Sequence, residues 1–251
     1  MHASASAGEQ TGKAMIVALI VGAGRGQRLG GPVPKQYRLL AGTPVLRHTL
    51  LAFLRHPAIA AVQAVIHADD RALYQAAADG LDLPLPVIGG ATRQDSVRRG
   101  LETLAARRPS RVLIHDAVRP FIAGAVIDAV IATLDQSPGA IAAVPLADTL
   151  KRAADGRITA TIDRANLWRA QTPQGFRFDA ILAAHRQAAD AGTEFTDDAQ
   201  VAERAGLAVR LVPGSEDNFK ITTEHDLARA ERLLQLGQSQ QEPAPGRRSP
   251  P

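Results

Sequence analysis

The chain predicts an α/β protein with a Rossmann-like open, mostly parallel sheet flanked by helices. Three observations carry that prediction. Short apolar runs alternate with segments of helical period along most of the 251 residues, the pattern of βα units that build a parallel sheet. The first apolar run, Ile16 to Val21, empties into a glycine-rich loop, as strands do at the ligand sites of such sheets. One stretch, 147–172, breaks the rhythm with polar alternating runs on either side of Asp155-Gly156, a tight-hairpin signal.

Taken in order, residues 1–13 are small and polar and are expected to form a disordered tail. Strands are predicted at 15–21, 62–67, 85–88, 111–115, 140–144 and 208–212. Helices are predicted at 44–55, 70–79, 94–107, 123–134, 178–189, 197–205 and 223–235. The last has Thr222 or Thr223 as N-cap and Glu224 and Asp226 in its first turn. The flanks of the 147–172 hairpin are rich in Arg, Lys and Thr on both faces, so it is expected to project as an arm. Residues 237–251 are Gln/Pro/Ser-rich and read as a second disordered tail, which leaves 14–236 as one domain.

Composition excludes several classes. Hydrophobic residues make 45% and charged residues 22% of the chain, enough for one sizeable core. Without cysteine there are no disulfides, thiolate metal sites or Cys nucleophiles. The net charge of +4 comes from interspersed arginines and favours small anionic substrates. Aromatics at 4% supply no stacking set for nucleic acid. No run approaches the ~18 apolar residues of a membrane span. Lys13 followed by Ala14–Val21 is too short for a signal peptide and leads into the loop. A cytoplasmic protein is expected.

The loop after the first strand is where chemistry is expected. Residues 16–38 read IVALIVGAGRGQRLGGPVPKQYR. Glycine lets backbone N–H groups approach an anion closely, and Arg25, Arg28 and Lys35 add positive charge. The spacing matches neither GxxxxGK[ST] nor GxGxxG. Lysine usage strengthens the signal: of 29 basic residues only four are lysines, at 13, 35, 151 and 220. A lysine kept in so arginine-rich a chain points to a compact ammonium that a planar fork does not imitate.

Four further segments carry candidates. RVLIHDAVRP (111–120) ends a strand in Asp116, placed to hold Mg²⁺ together with substrate phosphates. His115 reads as a half-buried strand histidine rather than a ligand. GGATRQDSVRRGL (89–101) puts Arg93 beside a helix N-terminus, with Asp95 or Ser96 capping or lining the first turn. TIDRANLWRAQTPQGF (161–176) offers Arg164 and Thr172 as substrate contacts, with Trp168 read as packing. EDNFKITT (216–223) brings Lys220 to the end of a late strand. No nucleophile–base pair appears, no GxSxG, HExxH or carboxylate dyad. Cations, glycine and one metal-capable Asp suit phosphoryl or nucleotidyl transfer, where catalysis is positioning and charge neutralisation.

In this order the five segments resemble the 2-C-methyl-D-erythritol 4-phosphate cytidylyltransferases of the non-mevalonate isoprenoid pathway, over about residues 14–235. The resemblance rests on GxGxR…PKQY, GGxxRxxSV, HDAxRP, the DT-x-K arm, DRxxLW–TPQ and N-x-K. It implies CTP plus a polyol phosphate giving the CDP-linked alcohol and pyrophosphate, with Mg²⁺. Arg28, Lys35 and Lys220 would be catalytic, the first two stabilising charge on the α-phosphate. The nucleotide would lie against Gly22, Ala23, Gly24, Gly90, Arg93, Ser96, Asp116 and Ala117, with Asp116 holding the metal. Arg119, Thr149, Arg164, Thr172 and Lys220 would face the sugar phosphate. The hairpin arm would exchange between subunits of a homodimer with composite sites.

This chain departs from the family in having Gly22-Ala23-Gly24 for Ala-Ala-Gly and Ala91 where an acidic residue often follows the glycine pair. Some relatives carry a downstream cyclodiphosphate synthase; from the Pro-rich stretch at 237–251 none is expected here. Three alternatives stand beside this reading: a ribitol 5-phosphate cytidylyltransferase, a dinucleotide-dependent oxidoreductase disfavoured by the off-by-one glycines, and a non-catalytic sugar-nucleotide sensor.

Overall fold

The computed structural model describes residues 14–25 and 32–239. The expected N-terminal tail, Arg28 and residues 240–251 lie outside the described residues. In chain order the elements are β1 (Ile16–Gly22), β2 (Leu39–Leu40), β3 (Thr43–Pro44), α1 (Val45–Leu54), β4 (Ala61–Ile66), α2 (Arg71–Ala78) and β5 (Val87–Ile88). Then come α3 (Arg93–Leu104), β6 (Arg111–Asp116), α4 (Gly124–Thr133), β7 (Gly139–Pro145), β8 (Leu150–Ala154), β9 (Arg157–Ile162) and β10 (Trp168–Arg177). The chain continues through α5 (Phe178–Asp190), α6 (Asp198–Arg204), β11 (Val209–Pro213) and α7 (Glu224–Ser239).

Among the described residues seven strands form the main sheet, in the order β11-β7-β10-β6-β1-β4-β5. β1 runs parallel to both β4 and β6. It is buried on both faces, which is why it reads as an unbroken apolar run. Ile16, Ala18 and Ile20 join a core with Leu46, Leu50 and Phe53 of α1 and with residues of α4. Val17 and Leu19 join a second core with Val97 and Leu101 of α3 and Ile181 of α5. Helices therefore cover both faces of the sheet, as the alternating pattern predicts. Chain order reverses at β1, whose two neighbours follow it in sequence, so the carboxyl ends of β1 and β6 form the switch point where such sheets bind ligands.

The sheet is mixed at one place the sequence reading missed. β10 lies antiparallel between β6 and β7, with a register shift between Ala170 and Gln174. The two-residue ribbon β2–β3 was also not anticipated. The hairpin is present as β8–β9, a separate two-stranded sheet turning at Asp155 and Gly156, both at positive φ. β8 is exposed along its whole length. Trp168, read as packing, is instead 44% exposed at the start of β10. No helix among the described residues is long and apolar enough to cross a membrane.

Two of the side-chain caps bear on the predicted helix starts. Thr92 Oγ1, rather than Asp95 or Ser96, caps α3 by accepting from Asp95 N at 3.1 Å. Thr223 Oγ1 accepts from Asp226 N at 3.2 Å, and Asp226 reaches back to the N–H of Thr223 at 2.9 Å, a reciprocal cap on the last helix.

Gly100 marks where α3 meets the sheet. A Cβ there would lie 2.6 Å from Leu19 Cδ1 and 3.0 Å from Val65 Cγ2. Alanine would gain roughly 1 kcal/mol of helix propensity. Overpacking of this kind costs about 1–3 kcal/mol, and fully buried Leu19 has little room to yield. Gly100→Ala is expected to lower the urea midpoint at unchanged m-value; a raised midpoint would mean that the core relaxes around the methyl group.

Candidate active site

Two clefts open at the carboxyl ends of β1 and β6. The first, of ≈ 200 Å³, is lined by Val21–Gly24, Lys35 and Gln36, by Gly90–Arg93 and Ser96, and by Asp116–Val118 and Lys220. The second, of ≈ 170 Å³, is lined by Arg119, Gln171, Thr172, Gln174, Thr196 and Asp197. Arg93, Asp116 and Lys220 line both, so one carboxylate and two cations stand where the clefts meet.

Gly22–Gly24 is held from beneath by Gln36. Its side chain is buried, and Nε2 donates to Gly22 O at 2.7 Å and to Gly24 O at 3.3 Å, with Asp70 Oδ2 at 3.4 Å. The short 3₁₀ turn Lys35–Tyr37 thus fixes the loop and presents Lys35 at the same rim. Arg25, expected to serve the loop as a cation, turns away to pair with Asp69, Asp70 and His67. Across the cleft, Ser96 Oγ accepts from Gly90 N at 3.0 Å and donates to Thr92 O at 2.8 Å. That pair fixes the backbone expected to read the base.

Asp116 is the electrostatic centre. Its Oδ2 is 2.9 Å from Lys220 Nζ and 3.4 Å from Arg119 Nε, and its Oδ1 is 3.3 Å from Arg93 Nε. Burial alone would raise its pKa, but Arg93, Lys220 and Arg119 outweigh that cost and hold the carboxyl far below the usual range. It is therefore ionised. A fully ionised carboxylate beside a phosphate-sized cleft suits a hard cation, but it is a single carboxylate. Among the described residues no cluster of three His, Cys, Asp or Glu gathers to hold a metal. The donor set fits Mg²⁺ only where substrate phosphates supply most of the ligands, which is the usual arrangement for that ion.

The rest of the site hangs on a buried polar frame. Thr172 Oγ1 accepts from Asp116 N at 3.1 Å and lies 3.0 Å from His115 Nδ1. His115 is fully rather than half buried; its Nε2 lies 3.0 Å from Arg119 O, and burial pulls its pKa down to about 4. It is neutral at pH 7 and structural. Asn218 Nδ2 donates to Thr172 O at 2.7 Å, while Arg119 Nη1 donates to Asn218 O at 2.7 Å. The segment before α7 is thereby tied to β6 and β10, and Lys220 returns to the site as the sequence suggests.

Of the predicted residues, Gly22, Ala23, Gly24, Lys35, Gly90, Arg93, Ser96, Asp116, Ala117, Arg119, Thr172 and Lys220 all line one cleft or the other. Thr149 and Arg164 do not. Both are exposed at the base of the arm, and Arg164 donates to Ala147 O. Sequence reasoning missed Gln36, Gln171, Gln174, Thr196, Asp197 and Asp198. A TDD triplet opening a helix was the only local signal for the last three.

Comparison with known proteins gives a consistent picture. The family model of 2-C-methyl-D-erythritol 4-phosphate cytidylyltransferase matches residues 16–236. A bifunctional enzyme IspD/IspF of Rhodospirillum rubrum is 63% identical over 222 residues, 88% of this chain and 57% of that protein. The chain thus spans little more than half the length of such bifunctional relatives. A 2-C-methyl-D-erythritol 4-phosphate cytidylyltransferase of Cereibacter sphaeroides is 50% identical over 220 residues, 87% of this chain and 96% of the relative. The crystal structure of 4-diphosphocytidyl-2C-methyl-D-erythritol synthase from Anaerococcus prevotii superposes with a TM-score of 0.78 at 30% identity, covering 89% of this chain and all of that one.

Proposed function

This chain belongs to the 2-C-methyl-D-erythritol 4-phosphate cytidylyltransferase family, and from that membership we propose that it transfers the cytidylyl group of CTP to 2-C-methyl-D-erythritol 4-phosphate, releasing pyrophosphate. The observation that carries the reading is Asp116, Arg93 and Lys220 standing at the junction of two clefts. One cleft has the glycine loop and Ser96 to hold a nucleotide, the other Arg119 and Thr172 to hold a phosphorylated acceptor. The names of the relatives favour methylerythritol phosphate over ribitol phosphate.

In this reading the acceptor's phosphate oxygen attacks the α-phosphorus of CTP. The bond from that phosphorus to the bridging oxygen breaks, and pyrophosphate leaves. A phosphate monoester has a second pKa near ~6 and is already anionic at pH 7, so no general base is needed, in keeping with a neutral, fully bonded His115. Lys35 neutralises charge that grows on the α-phosphate and leaving group, a role the family resemblance also implies for Arg28, which lies outside the described residues. Lys220 and Arg119 orient the acceptor phosphate for in-line approach. Asp116 would hold Mg²⁺ together with substrate phosphates, and the ion would supply charge to offset repulsion between the two phosphorylated substrates. Both substrates are charged metabolites, and the proposal includes a cytoplasmic location.

The arm belongs to the proposal as a subunit contact. Ile158 is 68% exposed and Leu150 37% on a two-stranded hairpin that has no core of its own, and such apolar surface is covered best by a second copy. Arg164 and Thr149 would then complete the partner's acceptor cleft. Arg164→Ala should chiefly raise KM for the sugar phosphate. An equal mixture of Arg164→Ala and Lys35→Ala chains should recover activity through mixed dimers; no recovery with subunit exchange demonstrated would count against shared sites.

The nucleotide half is tested by calorimetry. CTP should bind more tightly than UTP or ATP, and NAD should give no heat. Tighter binding of NAD than of CTP would replace this reading with an oxidoreductase.

A further inference from the structure

Arg93 is held from behind by groups that the proposed chemistry does not use. Asp198, the first residue of α6, is 1% exposed and accepts from Arg93 Nη2 at 2.8 Å. Its Oδ1 is 3.3 Å from Nε2 of His185, a fully buried histidine of α5. Arg93 therefore bridges two carboxylates, with the shorter contact on the Asp198 side and Nε 3.3 Å from Asp116. The partners come from positions 105 apart in the chain. A buried carboxylate is costly unless it is paired and hydrogen-bonded, and Arg93 is the cation that pairs with Asp198.

We infer that Asp198, backed by His185, is a positioning residue that fixes the Arg93 guanidinium in the wall between the two clefts. A guanidinium held only through Nε would pivot, either closing on Asp116 or swinging into a cleft. Gripped at Nη2 it shares its charge between Asp198 and Asp116, and Asp116 Oδ2 remains with Lys220 and Arg119. Asp198 itself lines neither cleft and touches no substrate; Asp197, its neighbour, caps α6 through Gln200 N at 2.9 Å.

The inference rests on the proposed cytidylyl transfer for its kinetic consequence but not for its geometry, and the test keeps the two apart. Asp198→Asn should lower kcat about 10- to 100-fold, the scale on which small misplacements of a site group act. In an Arg93→Ala background the same change should have no further effect on kcat, because a residue acting through another is silent once that other is gone. Equal losses in both backgrounds, or no loss in either, would overturn it. The wild-type protein gives a readout independent of variant folding. In ¹⁵N NMR the Arg93 Nη signals should be resolved and slow to exchange, whereas averaged signals from a freely rotating guanidinium would overturn the inference. A wild-type protein that releases no pyrophosphate would sink the proposed function and leave the NMR test standing.

Discussion

Lys35→Ala is expected to lower kcat by about 100-fold while the protein stays folded. Lys35 sits on a short 3₁₀ turn at the rim of the first cleft, outside the three buried apolar clusters. Truncating it removes no packing that those clusters need. A preorganised charge aimed at the transition state is typically worth on the order of 3 kcal/mol, which corresponds to that rate factor. Lys35→Arg should recover little of the loss, because a planar fork cannot occupy the position of a compact ammonium. Gln36 Nε2 holds Gly22 O and Gly24 O without the Lys35 side chain, so the first cleft should keep its shape. Normal turnover in a folded Lys35→Ala protein would remove Lys35 from the mechanism.

Asp116→Asn should have the larger effect, because it changes three interactions at once. Lys220, Arg119 and Arg93 would be left around a neutral amide, three cations without their shared partner. Breaking a buried ion pair on one side costs roughly 3–5 kcal/mol. Partial exposure of Lys220 and Arg93 puts the expected loss of stability at about 3 kcal/mol, the low end of that range. Turnover should fall by about 1,000-fold, the upper end for loss of one electrostatic contact. The half-saturating Mg²⁺ concentration should rise with it. A folded variant with an unchanged Mg²⁺ curve would take the metal away from Asp116, and one with unchanged stability would show that the three cations relax into solvent.

The sequence carried the parts of the molecule that obey a period. β1 is apolar throughout because both its faces are buried, and its emptying into glycine and Lys35, like the ending of β6 in Asp116, could be read residue by residue. Helix starts came through within one residue for the same reason, and so did the ends, except that α3 stops at Leu104 rather than 107 and α7 runs to Ser239, past 235 and into the stretch expected to be a disordered tail. β10 did not, because three of its six buried positions are the polar Gln171, Thr172 and Gln174, and of the other three only Phe176 is a large apolar residue, so no apolar alternation marks the strand. The polarity that hid the strand is the polarity that lines the second cleft. Trp168 was misread because an aromatic residue suggests a core, whereas here it begins a strand at the base of the arm.

Arg93 could be placed at the start of a helix, but not its grip on Asp198. That contact joins two helices far apart in the chain, and no local pattern records a pairing of such range. Arg25 was misassigned for a related reason: a cation in a glycine loop reads as a phosphate ligand until Asp69 and Asp70 are seen across from it. Residue type and spacing therefore reveal which elements end at the site. The buried frame of Asn218, Thr172, His115 and Asp198 appears only once the strands are in register.

Pyrophosphate release tests the central claim most directly. Purified protein would be mixed with Mg²⁺, each of CTP, UTP, ATP and GTP, and either 2-C-methyl-D-erythritol 4-phosphate or ribitol 5-phosphate. The expected result is release with CTP and methylerythritol phosphate alone. Release with ribitol phosphate in its place would contradict the acceptor assignment, and silence with both from folded protein would contradict the transfer itself.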